Sequence, residues 1–292
     1  MKYSRHQHDL TWSVQSAPLI CQKDSVWPAH DWFENYPSNR TITIADIAPG
    51  KLGRYFEHLM QSWIQSEPSL TCLAANLPVR VGGKTLGEFD LIVDNAGAIE
   101  HWEVAVKFYM AIGDSNDMNQ WFGPNPTDTL SQKYERMKTH QLVLSTLPDA
   151  QTLLAEQNWQ VEKVRSLVKG RLFHPFDRFE SGDIALPKGV NPKHEKGWWI
   201  SATDFSSRRE FKDSLFKRLP KSHWLAPLRC EDSGARYNFE ELKTAIFAQD
   251  EDEQHSGTMH VAEVDEFGLE LSRGFIVRQR WLDDIEEIQN TR

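Results

Sequence analysis

The sequence predicts an α/β protein built on a mixed sheet flanked by helices. Three observations carry that class. An amphipathic stripe at three- and four-residue spacing precedes three strand-like runs, a second amphipathic stripe and a further strand, the order α-β-β-β-α-β. With 39% hydrophobic residues and eleven tryptophans among 292 residues, the chain has the material for a large core. No run approaches the ~18 consecutive apolar residues of a membrane span. The opening MKYSRHQHDLTW also lacks the apolar stretch of a secretory signal, so a cytoplasmic protein with no membrane partner is expected. Cys21, Cys72 and Cys230 lie far apart and fit neither a disulfide framework nor a zinc spacing, and they read as reduced core thiols.

The formal charge of −9 is unevenly placed. Residues 231–292 hold 16 acidic and 6 basic side chains, a balance of −10, so residues 1–230 carry +1. Between Lys193 and Lys221 there are 8 Lys/Arg against 4 Asp/Glu, a patch able to hold a phosphate backbone. The run Asp250–Glu253 reads as a solvated loop, and the acidic tail beyond Arg280 as a cover for a positive groove.

Residues 1–45 hold Pro18, Pro28 and Pro37 with Trp12, Trp27 and Trp32, the pattern of an arm pinned to a body by aromatic anchors. Residues 46–175 form the predicted core. Leu52, Tyr55, Phe56, Leu59, Met60 and Trp63 mark a helix that ends before Pro68, with Glu57 at the flank of its apolar stripe. Thr71–Val81, Gly87–Asp94 and Ile99–Met110 follow as strands, with turns at Gly82-Gly83 and Asn95-Ala96-Gly97. After Gly123-Pro124-Asn125-Pro126, Thr127 or Asp128 caps a helix with Leu130, Tyr134, Met137, Gln141 and Leu144 on one stripe, Gln141 being its one polar member. A short helix near Leu153–Trp159 and a strand near Val164–Phe173 complete this core.

Residues 176–292 read as a C-terminal α+β extension. It holds a strand at Trp198–Ser201, a basic helix at Ser206–Leu219, a helix around Phe239–Ala248 and strands at Met259–Val264 and Gly268–Val277. Trp198, Trp199 and Trp224 read first as buried packing and second as surfaces on which unpaired bases stack.

The segment GEFDLIVDNAGAIEHWEVAVKFY carries the chemistry. Strand alternation puts Phe89, Leu91 and Val93 on one face and Glu88, Asp90 and Asp94 on the other; Trp102, Val104, Val106 and Phe108 oppose His101, Glu103, Ala105 and Lys107. If Asn95–Ala98 closes the hairpin so that Asp94 meets Ile99, paired residue numbers sum to 193 and Asp90 lies opposite Glu103. Two carboxylates about 5 Å apart repel unless they share a proton or a cation. Hard oxygen donors in a partly open site suit Mg²⁺ or Mn²⁺, and Lys107 on the same face is placed to orient a water or to offset phosphate charge. Lys133, Arg136 and His140, at i, i+3 and i+7, supply candidate phosphate contacts, as do Arg208, Arg209 and Lys212 in the basic patch.

This arrangement resembles the PD-(D/E)XK nuclease superfamily. Gly87-Glu88-Phe89-Asp90-Leu91-Ile92 is similar to the GEIDLI form of its first motif, and Glu103 with Lys107 to its second. The resemblance implies a restriction-endonuclease-like core in which Asp90 and Glu103 are metal ligands, Lys107 is the catalytic lysine and Glu57 is the helix acid. Phe89 stands where that motif has proline, and the acid-to-lysine step is stretched to Glu103-Val-Ala-Val-Lys107. The whole chain, with GRYFE at 53–57, GPNPTDTL at 123–130 and KGRLF at 169–173, also resembles the bacterial domain of unknown function 1853.

The function implied is a divalent-metal-dependent nuclease acting on nucleic acid, DNA ahead of RNA. The alternative is a catalytically inactive nuclease-fold adaptor that binds nucleic acid or a protein. Two other motifs are excluded: His101-Trp102-Glu103 lacks the Pro-Cys-x-x-Cys of a zinc deaminase, and Gly82-Gly83-Lys84-Thr85 has Pro78 where a phosphate loop needs glycine.

Overall fold

The computed structural model describes residues 4–20, 51–248 and 257–291. Cys21, Trp27, Pro28, Trp32, Pro37 and the run Asp250–Glu253 lie outside the described residues.

Among the described residues the first two helices are α1 (Arg5–Gln15) and α2 (Leu52–Ser66); the predicted stripe of α2 supplies its buried face, with Phe56, Leu59, Met60 and Trp63 joined there by Ile64. Each such side chain contributes about 1.5–3 kcal/mol. Three antiparallel strands come next, β1 (Leu70–Val81), β2 (Lys84–Asn95) and β3 (Ala98–Ala111). The β2–β3 register pairs Asp94 with Ile99 and Leu91 with Trp102, the expected sum. The turn is tighter than expected, because Asn95 pairs with Ala98 and leaves only Ala96 and Gly97 to reverse the chain. Both have positive φ, 52° and 97°, as a primed two-residue hairpin requires. Alanine in the left-handed region is unfavourable by about 1 kcal/mol. Ala96→Asn, which makes the preferred Asn-Gly turn, is therefore expected to stabilise the fold by about 1 kcal/mol, read as a higher urea midpoint at unchanged m-value. An unchanged midpoint would refute this account of the turn.

A two-residue strand β4 (Trp121–Phe122) folds back on the end of β3. Then come α3 (Leu130–Arg136), a π-turn at Met137–Gln141, α4 (Pro148–Glu156) and the long β5 (Val161–Pro175), parallel to β3. The cap of α3 is Thr129, whose hydroxyl accepts from Gln132 N–H, rather than Thr127 or Asp128.

After α5 (Phe176–Ser181) the sheet continues through β6 (Glu195–Ser201), β7 (Leu215–Arg218), β8 (Arg236–Asn238), β9 (Thr258–Val264) and β10 (Glu270–Val277), with α6 (Ala202–Ser207) between β6 and β7 and α7 (Phe239–Phe247) between β8 and β9. Its order is β1-β2-β3-β5-β6-β10-β9-β7-β8, with β3, β5, β6 and β10 mutually parallel and the other pairings antiparallel. The architecture is thus a mixed α/β fold with helices on both faces. On one face Leu91, Val93, Trp102, Val104, Val106 and Phe108 pack with α1, α2 and Trp281 and Ile285 of α8 (Gln279–Asn290). On the other, Tyr109, Leu130 and Met137 form one cluster and Phe89, Ile92, Leu144 and Leu154 another. Phe89 therefore departs from the predicted alternation and joins Ile92 rather than Leu91.

Three further expectations are corrected. Ser206–Leu219 is not a helix: α6 (Ala202–Ser207) is followed by one 3₁₀ turn at Arg209–Phe211 and by β7. The reason is the aromatic spacing. Phe205, Phe211 and Phe216 pack together with ring centroids 5.0–5.7 Å apart, and intervals of six and five residues do not recur on one helical face. Cys230 is exposed and Cys72 only half-buried, so neither is a core thiol. The tail after Arg280 is not a detachable cover, since α8 places Trp281 and Ile285 in the main core.

Candidate active site

The β2–β3 ladder ends at Leu91↔Trp102, and the rung beyond it would bring Asp90 to Glu103. There the Asp90 carboxylate accepts the Val104 backbone N–H at 3.0 Å and takes the place of a strand partner. Asp90 and Glu103 hydrogen-bond each other, which requires one shared proton. Burial and then the Glu103 charge push the Asp90 acid up to about 7. Glu103 is 0% exposed, and burial likewise raises it to about 7. The bonds it accepts and the nearby Lys133 charge favour its ionised form, which makes Asp90 the donor of the shared proton.

Two neighbours fix the Glu103 head. His101 Nε2 lies 2.7 Å from Oε1; burial lowers this imidazole to about 4, so at neutral pH it is uncharged and donates an N–H. Gln141 Nε2 donates to Oε2, while its carbonyl oxygen accepts from Lys133 Nζ at 2.9 Å. Gln141 reaches in because the chain widens at Met137–Gln141, where Leu142 N–H bonds to the Met137 carbonyl at 2.9 Å instead of one residue nearer. Gln141, the single polar member of the stripe expected over residues 130–144, is thus the residue that ties Lys133 to Glu103. Lys133 is lowered by burial and by the Lys107 charge, while Asp90 and Glu103 act to raise it.

Glu57 approaches from α2. Burial, then the charges of Asp90 and Glu88, push it up to about 7. Lys107 has another partner: its Nζ lies 2.6 Å from Asp128 Oδ2, and Tyr109 donates to Asp128 Oδ1 at 3.1 Å. A cavity of about 750 Å³ lies against Asp90, bordered by Glu88, Gln132, Arg136, His140 and Gln141. The site therefore gathers Asp90, Glu103, Glu57, Lys133, Arg136 and His140. Arg208, Arg209 and Lys212 follow β6, on the far side of β3 and β5 in the sheet order. Arg208 is paired there with Asp177 at 2.6 Å and lies over the Phe176 ring.

Among the described residues no group of three or more His, Cys, Asp or Glu side chains is arranged to hold a metal ion. Two carboxylates remain a fitting pair for Mg²⁺, which keeps several waters and is held by one or two acids together with substrate phosphates.

The family model described as Domain of unknown function (DUF1853) matches residues 8–277. The chain belongs to that family. The DUF1853 match runs from α1 to the last residue of β10 and includes the whole of the acidic site. No curated protein and no solved structure matches the chain. Among the described residues no helix is long and apolar enough to cross a membrane.

Proposed function

We propose that this DUF1853 chain is a cytoplasmic, divalent-metal-dependent nuclease that hydrolyses phosphodiester bonds in DNA or RNA on a restriction-endonuclease-like, PD-(D/E)XK core. One observation carries the reading: two carboxylates, Asp90 and Glu103, are held in contact at the point where two strands part, beside a cavity bordered by Arg136 and His140. Such a contact is unfavourable for a fold and persists where the site has a use for it.

Asp90 and Glu103 would hold Mg²⁺ or Mn²⁺ in place of the proton they share. When bound, such a cation lowers the pKa of a coordinated water and neutralises the scissile phosphate. The chain's own residues do the rest. Val104 N–H fixes Asp90, while His101 and Gln141 fix Glu103. With Lys107 engaged by Asp128, the ammonium beside the acids is that of Lys133, and we assign the water-orienting role to Lys133 in place of Lys107. Arg136 and His140 contact backbone phosphates from the cavity border, which gives affinity without reading sequence.

The test is incubation of the purified protein with linear, circular and single-stranded DNA and with RNA, in Mg²⁺, in Mn²⁺ and in chelator. Cleavage in metal and none in chelator is expected, with the rate falling as pH drops below about 7, where Asp90 and Glu103 take up protons that compete with the cation. Absence of cleavage on every substrate, with nucleic-acid binding retained, would replace this reading with the inactive adaptor.

A further inference from the structure

A second cavity, of about 580 Å³, lies away from the acidic pair and is lined by Asn125, Arg218, Lys221, Trp224, His260 and Arg278 among others. Arg218 ends β7, Lys221 begins the 3₁₀ turn that follows it, and Arg278 is the first residue past β10. Asn125 belongs to the loop after β4 whose Asp128 holds Lys107, so one loop touches both places. The cavity lies at the carboxyl end of β10, which is where open α/β sheets bind ligands. Three basic side chains line it, and none of its described lining residues is acidic. Arg218 and Lys221 are exposed and make no ion pair among the described residues.

The inner wall is aromatic. The His260 ring stacks on Phe275 at 4.3 Å and 15°, and it meets Trp224 edge-on at 4.9 Å. His260 is 4% exposed, and neither of its ring nitrogens has a hydrogen-bond partner among the described residues. Burial, with the Arg273 and Arg171 charges, holds its pKa well below the usual 6.5. A neutral imidazole offers one donor and one acceptor, and here both stand idle behind the indole. The Trp224 N–H is already taken by the Leu219 carbonyl at 3.0 Å, and its ring also meets Phe108 and Phe275 at 5.3 and 5.4 Å, so its contribution to the cavity is the half-exposed part of the ring that remains.

Cations that converge beside a half-buried indole, with an unused donor and acceptor behind it, match a ligand with a phosphate at one end and a flat, hydrogen-bonding ring at the other. We propose that this cavity binds a nucleotide, its phosphate held by Arg218, Lys221 and Arg278 and its base laid against Trp224. The same chemistry serves a free nucleoside monophosphate or the terminal unit of a strand. The site needs no metal and is independent of cleavage at Asp90.

Calorimetric titration of the full chain in chelator, where no metal chemistry contributes, separates it from the nuclease reading. The probes are AMP, adenosine, inorganic phosphate and a short single-stranded DNA with a 5′-phosphate. AMP is expected to bind, with adenosine and phosphate each about tenfold weaker or more, because each lacks one set of contacts. The double variant Arg218→Gln with Lys221→Gln alters two exposed side chains and is expected to weaken AMP about tenfold while the thermal midpoint stays in place. Tighter binding of the oligonucleotide than of AMP, lost in the double variant, would support the site and assign it to strand ends; the reverse order, with AMP weakened in the double variant, would support it as a site for the free nucleotide. No heat with either, phosphate binding as tightly as AMP, or undiminished AMP affinity in the double variant would overturn the proposal.

Discussion

Gly170→Ala is expected to destabilise the protein by about 4 kcal/mol or more and to lower the thermal midpoint by about 10 °C. Gly170 lies in β5 at φ 139°, where an L side chain is strained, and pairs with Lys107 of β3. A Cβ added there would lie 1.7 Å from the Lys107 carbonyl oxygen and 2.7 Å from its carbon. Both are backbone atoms in a central parallel ladder and have no rotamer by which to withdraw. Either β3 and β5 separate locally or the alanine is not accommodated. Most domains have only about 5–15 kcal/mol in hand, so much of this variant should be insoluble at expression. A variant that melts within about 2 °C of the parent would mean that the ladder yields cheaply, and this account of the sheet would fail.

Asp90→Asn is expected to move activity and stability in opposite directions. Cleavage should fall by about a thousandfold or more, because a ligand charge is lost where the cation must be held. Stability without divalent metal should rise by about 2 kcal/mol at pH 8. The sign follows from the raised acids. Asp90 and Glu103 titrate near 7 in the fold and near 4 in the unfolded chain, so between those values the fold binds more protons and stability falls as pH rises. Above about 7 the whole penalty is present. The asparagine oxygen can still accept from Val104 N–H while its amide donates to Glu103, as the protonated acid does. At pH 4 and below the gain should therefore vanish, and added Mg²⁺ should stabilise the parent but not the variant. Denaturant titrations at pH 4 and pH 8 read it directly. Equal stability of the two proteins at both values would remove the argument that this pair is held against its own repulsion.

Much of the site could be read from residue order, and the part that could not has identifiable causes. The pairing of Asp90 with Glu103 was legible because hairpin register follows from a turn signal and period-two alternation, both local properties. Gln141 was legible as an anomaly, a polar residue on an apolar stripe, although its target was not. Lys107 illustrates what local pattern misses: its partner Asp128 is 21 residues away, across β4 and a loop. Phe89 leaves the predicted alternation where the ladder stops, and a ladder's end is set by the neighbouring elements rather than by the strand's own residues. The basic run before β7 imitated a helix through its charges, whereas the phenylalanines that decide its path recur at intervals no helix repeats. Charge also hid α8, where the acidic composition of the tail drew attention from Trp281 and Ile285.

β10 occupies the middle of the sheet although it comes late in the chain, with β6 on one side and β9 on the other. Until it docks, the three strands β9-β7-β8 have no strand linking them to β5 and β6, so a growing polypeptide carries two open edges as it leaves the ribosome. Contacts between distant segments form slowly because chain entropy must be lost first, and open edges pair with other chains in the meantime. Vulnerability to aggregation is therefore concentrated in the interval between synthesis of β6 and arrival of β10.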